Sequence, residues 1–131
     1  MRFLLVNNHC ISDPTAGVTH SLRTIMGWLA DAGHACHVLT TARFESPVTF
    51  TIEEHLTQHG VPLSHLAPTG GAAKKADKRR RGAAGRPVVH YTAGGVPVTL
   101  LLTRHNDEAR PDRAEATQFE ALLQHLLDDF V

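Results

Sequence analysis

The residues best able to do chemistry gather early in the chain. Asn7, Asn8 and His9 follow an apolar run, and Ala16, Gly17 and His20 open the next apolar-periodic segment. Amides and imidazoles at the end of a strand contact polar ligands, and the free N–H groups of a helix start attract anions, phosphates above all. Each has a plainer alternative: Asn7 and Asn8 can cap a turn, His9 and His20 can simply be solvated, and Gly17 can serve a sharp strand-to-helix turn. Arg23 and Arg104 either approach this cleft or solvate the surface. His34, Cys36 and His37 have the residue types of a metal site, but neighbouring strand residues point to opposite faces, so Cys36 and His37 cannot ligate together. The sequence offers no nucleophile–base pair, no Walker-type phosphate loop and no zinc spacing. Gly94-Gly95 is a turn and not a phosphate cradle, because no helix follows it.

These side chains need a strand, a loop and a helix to hold them. Phe3-Leu4-Leu5-Val6 is an unbroken apolar run, as expected of a strand covered on both faces. Asn7 to Thr15 is rich in turn formers. Val18, Leu22, Ile25, Met26 and Leu29 recur at helical steps and predict one buried face, with Trp28 packing beside it and Gly33 as the left-handed stop. His37 to Thr40 reads as a second parallel strand reached by a right-handed crossover. Ala42 to Pro47 is loop. Thr51 and Glu54 form a capping box for a short helix over Ile52 to His59, ended by Gly60. Val61 to Leu66 is a short apolar piece that Pro62 demotes from a strand.

Thr69 to Pro87 is a low-complexity basic insertion containing Lys74, Lys75, Lys78, Arg79, Arg80, Arg81 and Arg86. It reads as a mobile solvated loop or as a patch for an anionic lipid surface or nucleic acid, although no aromatic residue in it could stack a base. Val88 to Thr92 and Val96 to Leu102 then read as a hairpin about Gly94-Gly95, its second arm entering the sheet beside His37–Thr40. Thr103 to Pro111 is loop. Asp112 is an N-cap with Glu115 three residues on, and Phe119, Leu122, Leu123, Leu126, Leu127 and Phe130 mark an amphipathic helix to the end.

A chain of 131 residues, 42% hydrophobic and 20% charged, is one ordinary globular domain. A formal net charge of zero argues against a chain-wide grip on nucleic acid. Met1 to Val6 lacks the long apolar core and the small-residue cleavage site expected of a secretory signal, no apolar run approaches the length of a spanning helix, and two cysteines without metal spacing suggest a reducing cytoplasm. In an alternating α/β fold the last helix should lead to another strand beside Arg2–Val6. The expectation is therefore a fragment, or a homodimer or swapped arrangement in which another chain covers that open edge.

Four stretches carry a resemblance: Arg2-Phe3-Leu4-Leu5-Val6-Asn7; Asp13-Pro14-Thr15-Ala16-Gly17-Val18; Leu29-Ala30-Asp31-Ala32-Gly33-His34; and His37-Val38-Leu39-Thr40. Together they resemble the opening of the GT-B glycosyltransferases of family four, and Gly95-Val96-Pro97-Val98 is similar to the next strand of those enzymes. The likeness is weakest over Ala42 to Pro87. It implies a partial Rossmann-like α/β domain, a parallel sheet plus an edge hairpin, with Phe3–Val6 in the middle of the complete layer. It also implies the acceptor-binding half of a retaining transferase that moves a sugar from a nucleotide sugar and requires no metal or other cofactor. Asn7, Asn8, His9, Ala16, Gly17 and His20 would be substrate-binding, with Gly17 close to the donor phosphates. Ala16 stands where the family often has another glycine. The donor-site residues belong to a second domain, and a histidine used near the acceptor follows the strand expected after the last helix, so no activity is expected of this chain alone. Nucleotide sugar and acceptor would be its partners through the full enzyme, with a cytoplasmic location, a membrane surface open to it through the basic loop, and no nucleic acid. The alternatives are a free-standing non-catalytic module that oligomerises through its open sheet edge and an anionic-surface or nucleic-acid binder acting through the basic loop.

Overall fold

The computed structural model describes residues 1–13, 16–46, 52–58, 60, 86–103 and 112–130. Among them the chain forms an α/β arrangement of four strands and three helices: β1 (Arg2–Val6), α1 (Gly17–Asp31), β2 (Ala35–Thr41), α2 (Ile52–Gln58), β3 (Val88–Ala93), β4 (Val96–Leu101) and α3 (Arg113–Asp129). The sheet is mixed and open, in the order β1-β2-β4-β3. β1 runs parallel to β2, with Leu4 opposite His37 and Val6 opposite Leu39. β2 runs parallel to β4, with Val38 opposite Val98, and β3 closes the other side antiparallel to β4. The hairpin's second arm thus enters beside β2, as its apolar run predicts. β1 is the edge strand of the described sheet rather than a middle one.

Local chemistry explains the element ends. α1 stops in a Schellman motif: Gly33 takes φ 83°, its N–H bonds the Ala30 carbonyl, and the His34 N–H bonds the Leu29 carbonyl, both at 3.0 Å. Gly94 and Gly95 hold φ 57° and 80° in the β3–β4 turn, a backbone that residues with a Cβ adopt at a cost. α3 begins with a complete capping box: Asp112 accepts from the Glu115 N–H at 2.7 Å and Glu115 accepts from the Asp112 N–H at 3.1 Å. Pro97 lies one residue before β4 meets β2, where a missing N–H is tolerated.

The two faces of the sheet are covered differently. Alternate residues Leu5, Cys36, Val38 and Val98 pack with Met26 and Ile11 beneath α1. Val89, Leu100 and Leu102 pack with Phe44, Ile52 and Leu56 beneath α2, and Tyr91 touches both clusters. α3 lies on the opposite face: the Phe130 ring sits 5.5 Å from that of His37, and Arg2 Nη1 donates to the Phe130 carbonyl at 3.1 Å. Leu39, Thr99 and Leu101, which point to that face, are fully or nearly fully buried.

Three sequence expectations change here. The core face of α1 is narrower than its apolar spacing predicts, because Val18 is 61% and Ile25 42% exposed, while Thr19 joins Met26 in the interior. Trp28 does not pack: it is 69% exposed. Arg86, read as part of the basic insertion, is anchored. Its N–H donates to Gln118 Oε1 at 2.7 Å, its carbonyl accepts from Gln118 Nε2 at 2.6 Å, and its Nε donates to the Leu102 carbonyl. Pro14, Thr15, Thr51 of the expected capping box, His59, the Val61–Leu66 piece, residues 69–85 of the basic insertion and Arg104 lie outside the described residues. No helix among the described residues is long and apolar enough to cross a membrane.

Candidate functional site

The carboxyl ends of β1, β2 and β4 meet at one end of the sheet, where ligands of open α/β sheets collect. The chain leaving β1 folds back over β2 and is tied to it. The Asn7 N–H donates to the Leu39 carbonyl at 2.9 Å, and the Thr40 and Thr41 hydroxyls donate to the carbonyls of His9 and Asn8. Arg43 Nη1 donates to Asn8 Oδ1 at 3.1 Å, and the Cys10 N–H donates to the Arg43 carbonyl at 2.7 Å. Two adjacent threonines at the end of β2 therefore satisfy the carbonyls of a loop that has left the ladder.

On the α3 side of these tips lies a groove of about 170 Å³. Asn8, Thr41 and Thr103 form one wall; Glu115, Phe119 and Glu120 of α3 form the other, with Leu101 on the sheet side. The lining combines an amide, two hydroxyls, two carboxylates and an aromatic ring. Its exposed surface is mostly apolar, because the Thr41 hydroxyl, Asn8 Oδ1 and the Glu115 carboxylate already bond within the chain, and the two carboxylates disfavour a phosphate.

The expected site residues divide across the β1 tip. Asn8 lines the groove. Asn7 is buried on the opposite side, and its Nδ2 has no hydrogen-bond partner among the described residues. His9 is half-buried and contributes its carbonyl to the Thr40 contact. Ala16 is buried as the N-cap of α1, with its carbonyl accepting from Thr19 Oγ1 at 2.7 Å. Gly17 and His20 are exposed on the first turns of α1. Gly17 has no positive φ, and a Cβ there would meet nothing, so neither turn strain nor crowding requires glycine at that position. The first turn of α1 holds no acidic residue.

No family model, no curated protein and no solved structure matches the chain.

What the site can do therefore follows from its own chemistry. Arg23 does not reach the groove, since its Nη1 donates to the Ile11 carbonyl at 2.9 Å. Cys36 is buried in the core beneath α1, whereas His37 faces α3, so the two do point apart as strand geometry requires. Among the described residues no group of three or more His, Cys, Asp or Glu could hold a metal. His37 Nε2 lies 2.8 Å from Thr99 Oγ1, which lies 3.2 Å from His90 Nδ1. Burial first, and the nearby His90 second, hold the His37 imidazole below its ordinary pKa.

One pair escaped the sequence altogether. Ser12 Oγ is 2.5 Å from His55 Nε2, although the two residues are 43 apart in the chain. The same oxygen is 3.3 Å from the buried Cys10 Sγ. Burial pushes the Cys10 thiol pKa up, against the lowering effect of its hydrogen bonds with Ser12, so that sulfur keeps its proton. Tyr91, packed against the same cluster, is likewise pushed up by burial with Cys10 nearby. Only the capping signal at Thr51–Glu54 pointed to a helix over His55, and nothing in the spacing paired that helix with Ser12.

Proposed function

We propose that the chain is the acceptor-side, Rossmann-like half of a retaining glycosyltransferase, working with a donor-binding domain that supplies the nucleotide sugar. The observation that carries this is the groove between the strand tips and α3. Its volume of about 170 Å³ is below the roughly 300 Å³ of complete small-molecule pockets, as expected of one wall of a cleft. Phe119 and the mostly apolar lining offer a face for the apolar side of a sugar ring, and the Asn8 side-chain amide and the Glu120 carboxylate offer a donor and an acceptor for its hydroxyls. The donor phosphates would approach the other side of the β1 tip, where Gly17 opens α1.

The test separates acceptor from donor. Saturation-transfer NMR on the chain with methyl glycosides should show contact at millimolar concentration, and Ala116→Leu, which fills the groove from α3, should remove it. Calorimetry with nucleotide sugars should show no tight binding. Glycosides that give no transfer, or nucleotide sugars that bind this chain tightly, would overturn the proposal.

A second reading, a module that self-associates through its sheet edge, has its own support. β1 has no neighbour on its outer side among the described residues, and Val6 there is 42% exposed. Val18, Ile25 and Trp28, spaced along α1, add exposed apolar surface. Sedimentation velocity on the chain and on Trp28→Glu tests it: a dimer that the substitution dissociates supports self-association, and a monomer at high micromolar concentration refutes it.

A further inference from the structure

We propose that Ser12 and His55 form a nucleophile–base pair that accepts an acyl group from an activated ester. The site is separate from the groove and does not rest on the glycosyltransferase reading.

Nucleophilic catalysis by serine needs a hydroxyl that substrate can reach and a base already aimed at it. Ser12 is half-exposed, and its Oγ lies 2.5 Å from His55 Nε2. His55 is buried, with its ring set edge-on to Phe44 at 5.2 Å and 89°. The Phe44 ring thus flanks the buried imidazole on one side, and the part-buried Ser12 hydroxyl meets it on the other. Two clamps keep the elements together. The fully buried Asp13, next to Ser12, accepts from the Glu45 N–H through Oδ2 at 2.8 Å, tying the serine loop to the segment that carries Phe44. Three residues earlier, Cys10 binds the Arg43 carbonyl through its N–H. Neither clamp is needed to end β1, but both fix the serine relative to the histidine. The protonated Cys10 thiol, 3.3 Å from Ser12 Oγ, can donate a weak hydrogen bond to that oxygen.

The step balances as ordinary acyl transfer. Ser12 Oγ attacks the ester carbonyl carbon and its proton passes to His55 Nε2. The carbon–oxygen bond to the alcohol breaks, and the alcohol leaves with the proton from His55. Water then attacks the acyl-serine, gives a proton to His55, and releases the acid as Ser12 recovers its proton.

Incubating the whole chain with p-nitrophenyl acetate, followed by peptide mass mapping, tests the pair. The expected result is a burst of one equivalent of p-nitrophenolate with acetyl on Ser12, followed by slower steady release as the acyl-serine hydrolyses. Ser12→Ala should abolish this adduct, and His55→Gln should slow it about 100-fold in a chain whose circular dichroism is unchanged. If His55→Gln does not fold, the rate of Ser12 acetylation in D2O decides, because general-base removal of the hydroxyl proton is slowed by deuterium. Acetyl confined to lysines or other histidines, an unchanged rate at Ser12 in D2O, or an unchanged rate in folded His55→Gln would overturn the proposal.

Discussion

Asp13 carries more of the local structure than its place in a turn-rich loop suggests. Its carboxylate takes the Glu45 N–H, and its carbonyl takes the Thr19 hydroxyl at 2.8 Å, so one buried residue joins the β1 loop, the start of α1 and the segment after β2. Asp13→Ala would remove the carboxylate that accepts the Glu45 N–H in a part-buried bond and leave a cavity at a fully buried position. Urea unfolding should show a loss of about 1–3 kcal/mol, with a smaller loss for Asp13→Asn, which keeps an acceptor. His37 gives a pH test. Its folded pKa lies below the ordinary 6.5, so between the two values the unfolded chain binds more protons than the folded one. The contribution of His37 is fully present above 6.5 and is lost as pH falls from there toward the folded pKa. His37→Gln should flatten stability over that window in unfolding curves taken at stepped pH; an unchanged slope would contradict the assignment. At this scale the sequence was least legible. Asn8 could be read as a contact residue because it follows an apolar strand. Ser12 and His55 could not be paired, since only the folded loop brings them together, and Trp28 could not be placed, since its spacing fits either flank of a helix.

The elements were more legible, because their ends are set by local chemistry. The Asp112–Glu115 box, the Gly33 stop and the Gly94-Gly95 turn all form where residue type alone places them. Asp112→Ala should cost about 1 kcal/mol in thermal or urea unfolding, and Glu115, buried in the capping box and lining the groove, links that cap to the site. Gly95→Ala forces a Cβ onto φ 80° and should cost about 1–2 kcal/mol, whereas Gly17→Ala, with open space and ordinary φ, should leave stability within about 0.5 kcal/mol. What local rules did not show was which side of α1 meets the sheet. Val18 and Ile25 fit the apolar period as well as Met26 does, and tertiary packing alone selected Thr19, Met26 and the half-buried Leu22 and Leu29.

At the scale of the whole molecule, three parallel strands end together, with α1 and α2 on one face of the sheet and α3 on the other. The groove exists because α3 starts over the tips of β2 and β4, and it is lined from both halves of the chain. The parallel pairing of β1 with β2 could be read from two apolar runs joined by a helix, and that of β4 from its apolar arm. The position of β1 at the edge follows from the strands described, and it leaves an apolar surface that a neighbour would cover. The most direct measurement is an amide-resolved NMR titration of the chain with methyl glycosides. The acceptor role requires shifts concentrated at Asn8, Thr41, Thr103 and the first two turns of α3. Saturable shifts confined to the Trp28 side of α1, or none at any concentration, would contradict it.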